Sequence, residues 1–180
     1  MNHHNTINQL PKQPNSYHCF ICGVKNISGI QVAFYETTTE DGTPEILARF
    51  TGQQIHQGYP GRMHGGVATG ILDETIGRAI NIGEAGLNPQ VWGVTAELSM
   101  RFRQPIPLDV ELIARGRITR ESRRLFEGSG EIYLPDGIVA ASASGKFLKM
   151  PLSDIAESGA EELGWRVYPD DELDSIQKDT

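Results

Sequence analysis

The chain has 180 residues, 38% of them hydrophobic and 22% charged, the composition of one globular domain with extensions. No apolar run approaches the eighteen residues of a membrane span, and the first twelve residues show no signal-peptide pattern, so the expected compartment is cytoplasmic. The net charge of −7 is local: residues 151–180 hold nine acids and two bases, whereas residues 101–124 set seven arginines against Asp109, Glu111 and Glu121.

Residues 1–18, rich in Asn, Gln and Pro, read as a mobile polar arm. His18-Cys19-Phe20-Ile21-Cys22-Gly23 follows, a C-x-x-C with a flanking histidine. Zinc would need a distant fourth ligand such as His56. The simpler expectation, with no metal or cofactor, is a tight turn whose small thiols pack under the domain. Strands are expected over 29–38 and 45–50 around the turn Asp41-Gly42-Thr43-Pro44, and a loop over 53–63 leads to a helix starting near His64 and fading at Gly83 or Gly86, with Asn88-Pro89 beyond. Four more strands are expected over 91–103, 110–119, 125–134 and 138–149. In the first of them Val94, Ala96, Leu98, Met100 and Phe102 would face one way, and Thr95, Glu97, Ser99, Arg101 and Arg103 the other. Residues 151–180 form an acidic tail with a short helix near Ser153–Leu163. The order predicts an α+β domain over 19–150, with one long helix against a mostly antiparallel sheet of about six strands.

The helix stretch carries the chemistry. Val67, Ala68, Ile71, Leu72, Thr75, Ile76 and Ala79 share one face at helical spacing. Gly66, Gly70, Asp73 and Gly77 share the opposite one. A helical glycine costs roughly 1 kcal/mol relative to alanine, so this bare face calls for close approach of a backbone or a ligand, beside a single carboxylate.

His64-Gly65-Gly66, Asp73 nine residues after the histidine, and Thr95 opening Val94-Thr95-Ala96-Glu97-Leu98-Ser99-Met100-Arg101-Phe102-Arg103-Gln104-Pro105 resemble the hotdog-fold acyl-CoA thioesterases of the PaaI-like type and the wider thioesterase superfamily. Cys19-Phe20-Ile21-Cys22-Gly23 with Asn26 and Gly29 is similar to the lead-in of many bacterial members. The resemblance implies a hotdog fold, a sheet wrapped around the central helix, and paired chains. It implies that Gly65 N–H receives the thioester oxygen and that His64 positions donor and substrate. It also implies that Asp73 is the nucleophile or general base, and that Thr95 orients the attacking water. Several relatives carry Asn or Gln seven residues before the first glycine; here that position is Gly58, with the neighbouring His56 and Gln57 as candidate substitutes.

Helix-terminal N–H groups suit the negative charge that develops on a thioester oxygen, and glycines at 65 and 66 let it approach. Gly65 and Asp73, however, lie eight residues apart, about 12 Å along a helix, and reacting atoms must sit within about 3–3.5 Å. One helix cannot serve one carbonyl with both. Two helices related by a two-fold axis can, so the expectation is a homodimer, or a tetramer of such dimers, with shared sites. Thr95, pointing away from its own core, would then reach the partner. Gly66 and Gln57 would contact substrate. Arg101 and Arg103, joined by Arg115 and Arg117 on a consecutive strand, would hold the phosphates of coenzyme A, itself part of the substrate. Nucleic acid is not expected, because the arginines lack interleaved exposed aromatics and the chain is acidic overall. Two rivals are a non-catalytic acyl-CoA-binding sensor or regulator, which Asp73 argues against, and a hotdog hydratase, which would need an Asp/His pair early in the helix. Glu74 is the reserve carboxylate.

Overall fold

The computed structural model describes residues 7, 9–84, 89, 91–157, 159–169 and 172. Strands β1 (Ala33–Thr38) and β2 (Pro44–Thr51) precede a short hairpin, β3 (Gln57–Tyr59) and β4 (Arg62–Met63), then helix α1 (Gly65–Gly77). Strands β5 (Trp92–Phe102), β6 (Glu111–Glu121), β7 (Leu125–Tyr133) and β8 (Val139–Met150) follow. Six strands form one sheet in the order β1-β2-β6-β7-β8-β5, with every neighbouring pair antiparallel. This is the α+β layout of one helix against a six-stranded sheet. Among the described residues no helix is long and apolar enough to cross a membrane.

The apolar stripe of α1 is buried as its spacing requires: Val67, Ala68, Ile71, Leu72 and Ile76 lie in the main core with Leu112, Phe126, Ile132 and Phe147. Removal of about 25 cal/mol per Å² of apolar surface from water holds these layers together. Close packing needs a bare sheet centre. A Cβ at Gly128 would stand 2.4 Å from Ile76 Cγ2, and one at Gly116 would stand 2.9 Å from the Thr75 backbone.

The glycine face of α1 also has a use within this chain. A Cβ at Gly93 would come within 2.9 Å of Gly77 O and 2.8 Å of Phe126, while Ile21 fills the space over Gly70. Gly77 therefore admits β5 and Gly70 admits the cysteine turn, leaving the helix start and Asp73 as the open part.

Four expectations are corrected. The α-helix stops at Gly77 and tightens into a 3-10 turn over Arg78–Asn81, and Gly83 takes φ +88°; residues 85–88 lie outside the described set. The helix expected near Ser153–Leu163 is only a 3-10 turn, Leu152–Asp154. Within the arm, Gln13, Asn15 and Ser16 are buried. Asn15 exchanges backbone hydrogen bonds with Arg166 and its side-chain amide donates to Cys22 O (2.7 Å) and Val32 O (2.9 Å); residues 1–6 and 8 lie outside the described set. Finally, β5 does not alternate uniformly. A bulge between Thr95 and Glu97 leaves Ala96 without a partner, so Thr95 pairs with buried Phe147 and Glu97 with exposed Lys146. The extra residue shifts the phase, and Thr95 turns toward its own helix.

Gly93→Ala should therefore cost about 1–3 kcal/mol, the range for overpacking a filled core, in urea unfolding. Gly159→Ala, with no atom within 4 Å of the added Cβ, is the control; equal midpoints for the two would contradict the contact between Gly77 and Gly93.

Candidate active site

The sequence-expected residues fall into two groups at different levels of α1. At the helix start His64 is the N-cap, extended at φ −64° and ψ 135°, and its Nδ1 accepts the Gly66 N–H at 2.9 Å. Nδ1 is then an acceptor, so the neutral ring carries its proton on Nε2. The first N–H groups of a helix have no intrahelical partner. With Gly66 satisfied by the cap, Gly65 N–H has no acceptor among the described residues. The Phe102 ring lies 3.4 Å from where a Gly65 Cβ would be.

Two turns on, Thr95 Oγ1 donates to Asp73 Oδ1 at 2.6 Å. This contact lies within one chain and overturns the expectation that Thr95 reaches across to a partner; the β5 bulge is the reason. Asp73 is half-buried. Burial raises its carboxyl above the ordinary value, the Glu74 charge adds to the rise, and the Thr95 hydroxyl opposes it. A carboxylate held this way is a better proton acceptor than one in water.

Asp73 and Thr95 open onto a cavity of about 570 Å³, walled by Ile21, Gly70, Trp92, Leu163 and Trp165, with Cys19, Cys22 and Glu74 on the same lining. The two indole rings meet at 4.5 Å between centroids. Gly65 and His64 are not on this cavity. The volume falls within the usual range for small-molecule sites. The tail's contribution through Leu163 and Trp165 had no signal in the sequence beyond two apolar residues in an acidic segment.

Several other residues take structural roles. His56 is buried, accepting from Gln53 N–H at 3.0 Å and donating to Ser28 O at 3.2 Å; it is available neither to a metal nor to a water in the cavity. Gln57 Oε1 accepts from Gly61 N–H at 3.0 Å across the hairpin turn. A Cβ at Gly58 would lie 2.9 Å from His64 Cα, so a glycine at this position lets the hairpin pack against the cap. The basic stripe is not continuous, because β7 and β8 separate β6 from β5. Arg115 and Arg117 bind Glu45, itself buried, at 2.6 and 2.9 Å. That leaves Arg101, exposed on edge strand β5, and Arg103 just beyond it, donating to Ser142 Oγ at 2.6 Å.

A capped, glycine-opened helix start, a buffered carboxylate in mid-helix, and an antiparallel sheet around them define a hotdog domain. Residues 60–141 match the family described as the thioesterase superfamily. The chain is 28% identical over 124 residues to acyl-coenzyme A thioesterase THEM4 of Mus musculus, covering 68% of this chain and 49% of that protein. It spans about half the length of the curated relatives it matches. Among solved structures, a thioesterase superfamily protein superposes with a TM-score of 0.59 at 30% identity, covering 72% of this chain and 62% of the other. A Bacillus halodurans protein solved with CoA shares the fold (TM-score 0.51, 22% identity, 57% and 70% of the two chains). Residues 60–141 are thus similar to the thioesterase superfamily, and the chain folds as a hotdog domain.

Because folding raises the Asp73 pKa, the native state holds this proton more tightly than the unfolded chain, and the group's contribution to stability falls as pH rises through the shifted value. Asp73→Asn removes the ionisation and keeps an acceptor for Thr95. Its melting temperature should exceed wild type at pH 7, and the gain should vanish below pH 3.8, the ordinary carboxyl value. An Asn variant that melts lower than wild type at pH 7 would contradict the desolvated carboxylate.

Proposed function

We propose that the protein hydrolyses acyl-CoA thioesters to free acid and CoA at sites shared between the two chains of a homodimer. The observation that carries this reading is the Thr95–Asp73 pair at 2.6 Å on the wall of the 570 Å³ cavity. Thr95 engages Oδ1 and leaves Oδ2 to take a proton from water as that water attacks the thioester carbon. Negative charge then grows on the carbonyl oxygen. Gly65 N–H of a partner chain, backed by the positive end of its helix, receives it. Collapse expels the CoA thiolate, which recovers the proton from Asp73. The acyl group lies in the cavity, against Trp92 and Trp165, and Arg101 and Arg103 take the phosphates.

Strand β5 supports the pairing. It is eleven residues long and ends the sheet, with β8 as its one neighbour, and such an edge is a template for another strand. It passes Asp73 at Thr95 and the helix start at Phe102. Two copies paired antiparallel about a two-fold axis near Leu98 and Ser99 would bring Thr95 of one opposite Phe102 of the other. Asp73 of one chain would then face Gly65 of its partner. The CoA in the Bacillus halodurans neighbour and the activity named for the curated relatives favour the same substrate class.

Thiol release from a panel of short, aromatic and long acyl-CoAs tests the proposal. Asp73→Asn should lose at least about 100-fold in kcat, and Thr95→Val about tenfold, the scale of a lost general base and of its positioning partner. Gly65→Pro removes the N–H and keeps the backbone path: proline suits the first helical position, and the extended His64 suits a residue before proline. That variant should lose about 100- to 1000-fold in kcat with an unchanged circular dichroism spectrum. CoA binding without turnover on any thioester would instead make the protein an acyl-CoA-binding module.

A further inference from the structure

Sequence spacing placed Cys19 and Cys22 beside His18 and left any further ligand to come from afar. The fold supplies one. Cys19 Sγ, Cys22 Sγ and a Glu74 carboxylate oxygen lie within 4.8 Å of one another, although 51 residues of chain lie between Cys22 and Glu74. Cys19 Sγ stands 3.2 Å from Glu74 Oε2.

The surroundings shape each donor. Cys19 Sγ receives the backbone N–H groups of Ile21 (3.3 Å) and Cys22 (3.5 Å), partners that favour a thiolate. Gly23 closes the turn, donating its N–H to Cys19 O at 2.9 Å; a Cβ there would stand 2.3 Å from that oxygen. Arg78, buried between the Phe34 and Trp165 rings, binds Glu74 Oε1 through Nε (3.0 Å) and Nη2 (2.7 Å) and donates to Pro14 O at 2.7 Å. The guanidinium thus holds one carboxylate oxygen from behind and turns the other toward the sulfurs. Outer partners of this kind orient metal ligands.

We infer that Cys19, Cys22 and Glu74 form a site for a soft divalent cation, zinc by ligand type. Two thiolates and a carboxylate oxygen are ordinary zinc donors. Sulfurs about 2.3 Å from a tetrahedral zinc lie roughly 3.7 Å apart, so donors already within 4.8 Å need small adjustments. Three anionic donors are balanced by the cation and the Arg78 guanidinium. All three residues line the cavity, so the fourth position opens onto it and a water completes the tetrahedron. The ion would pin the turn at residues 18–24 to α1 and stiffen the wall beside Asp73. The site stands on its own donors and does not depend on thioester chemistry.

The test uses the whole 180-residue chain, reduced and stripped with chelator, titrated with Zn²⁺ and separately with Co²⁺. One equivalent should bind per chain, and cobalt should give a thiolate charge-transfer band. That band reports sulfur ligation in the unaltered protein, whatever the folding of the variants. Cys19→Ser and Cys22→Ser should lose the band. Glu74→Gln should weaken binding at least about tenfold, as disturbing a ligand's surroundings does, whereas His18→Ala should bind like wild type. No stoichiometric binding, or a reduced protein that only closes an intramolecular disulfide when given an oxidant, overturns the site. Equal affinity in Glu74→Gln overturns the three-residue ligand set.

Discussion

Helix α1 is a rigid rod that carries both candidate catalytic groups, and its pitch holds them apart. Gly65 and Asp73 are eight residues apart, about 12 Å along the axis, a separation that side-chain motion cannot close because one of the groups is a backbone N–H. The cavity meets Asp73 and Thr95 but not Gly65. A carbonyl served by both groups therefore requires a second helix start, and β5, alone on its edge of the sheet, is where a second copy can bring one.

The rest of the architecture keeps that rod close to the sheet. Bare positions on β6 and β7 admit the apolar side chains of α1, and Gly77 against Gly93 admits β5 on the flank. The last contact sets the depth of β5 relative to the helix, and the bulge after Thr95 then aims its hydroxyl at Asp73. A strand without the extra residue would turn that hydroxyl to the outer face of the sheet. The candidate catalytic pair thus depends on a packing contact and a pleat defect that lie outside the motif itself.

Much of this was legible in the sequence. Period-two alternation located the strands to within a few residues, the 3.6-residue period located the buried face of α1, and His64-Gly65-Gly66 marked its start. The glycines on the other face were rightly expected to permit close approach, but at Gly70 and Gly77 the approaching groups belong to the same chain. What was hidden was long-range. A bulge depends on which residues of β8 pair with β5, so Thr95 was assigned to the wrong face. Arg115 and Arg117 follow Arg101 and Arg103 in sequence, yet the strand order separates them and Glu45 takes them up. Trp165 reaches the cavity only because the tail pairs with the arm at Asn15 and Arg166, and the convergence of Glu74 on Cys19 and Cys22 is likewise a product of the closed fold.

The shared site can be tested by complementation between two inactive chains. Asp73→Asn keeps the N–H donor and Gly65→Pro keeps the carboxylate. If each site draws one group from each chain, a mixed dimer contains one intact site and one doubly damaged site. After unfolding together and refolding at equal amounts, half the dimers are mixed, so activity should return to about a quarter of wild type. If both groups serve a carbonyl from within one chain, no mixture contains an intact site. Activity that stays at the level of the separate variants, in a preparation shown to contain mixed dimers, would contradict the account.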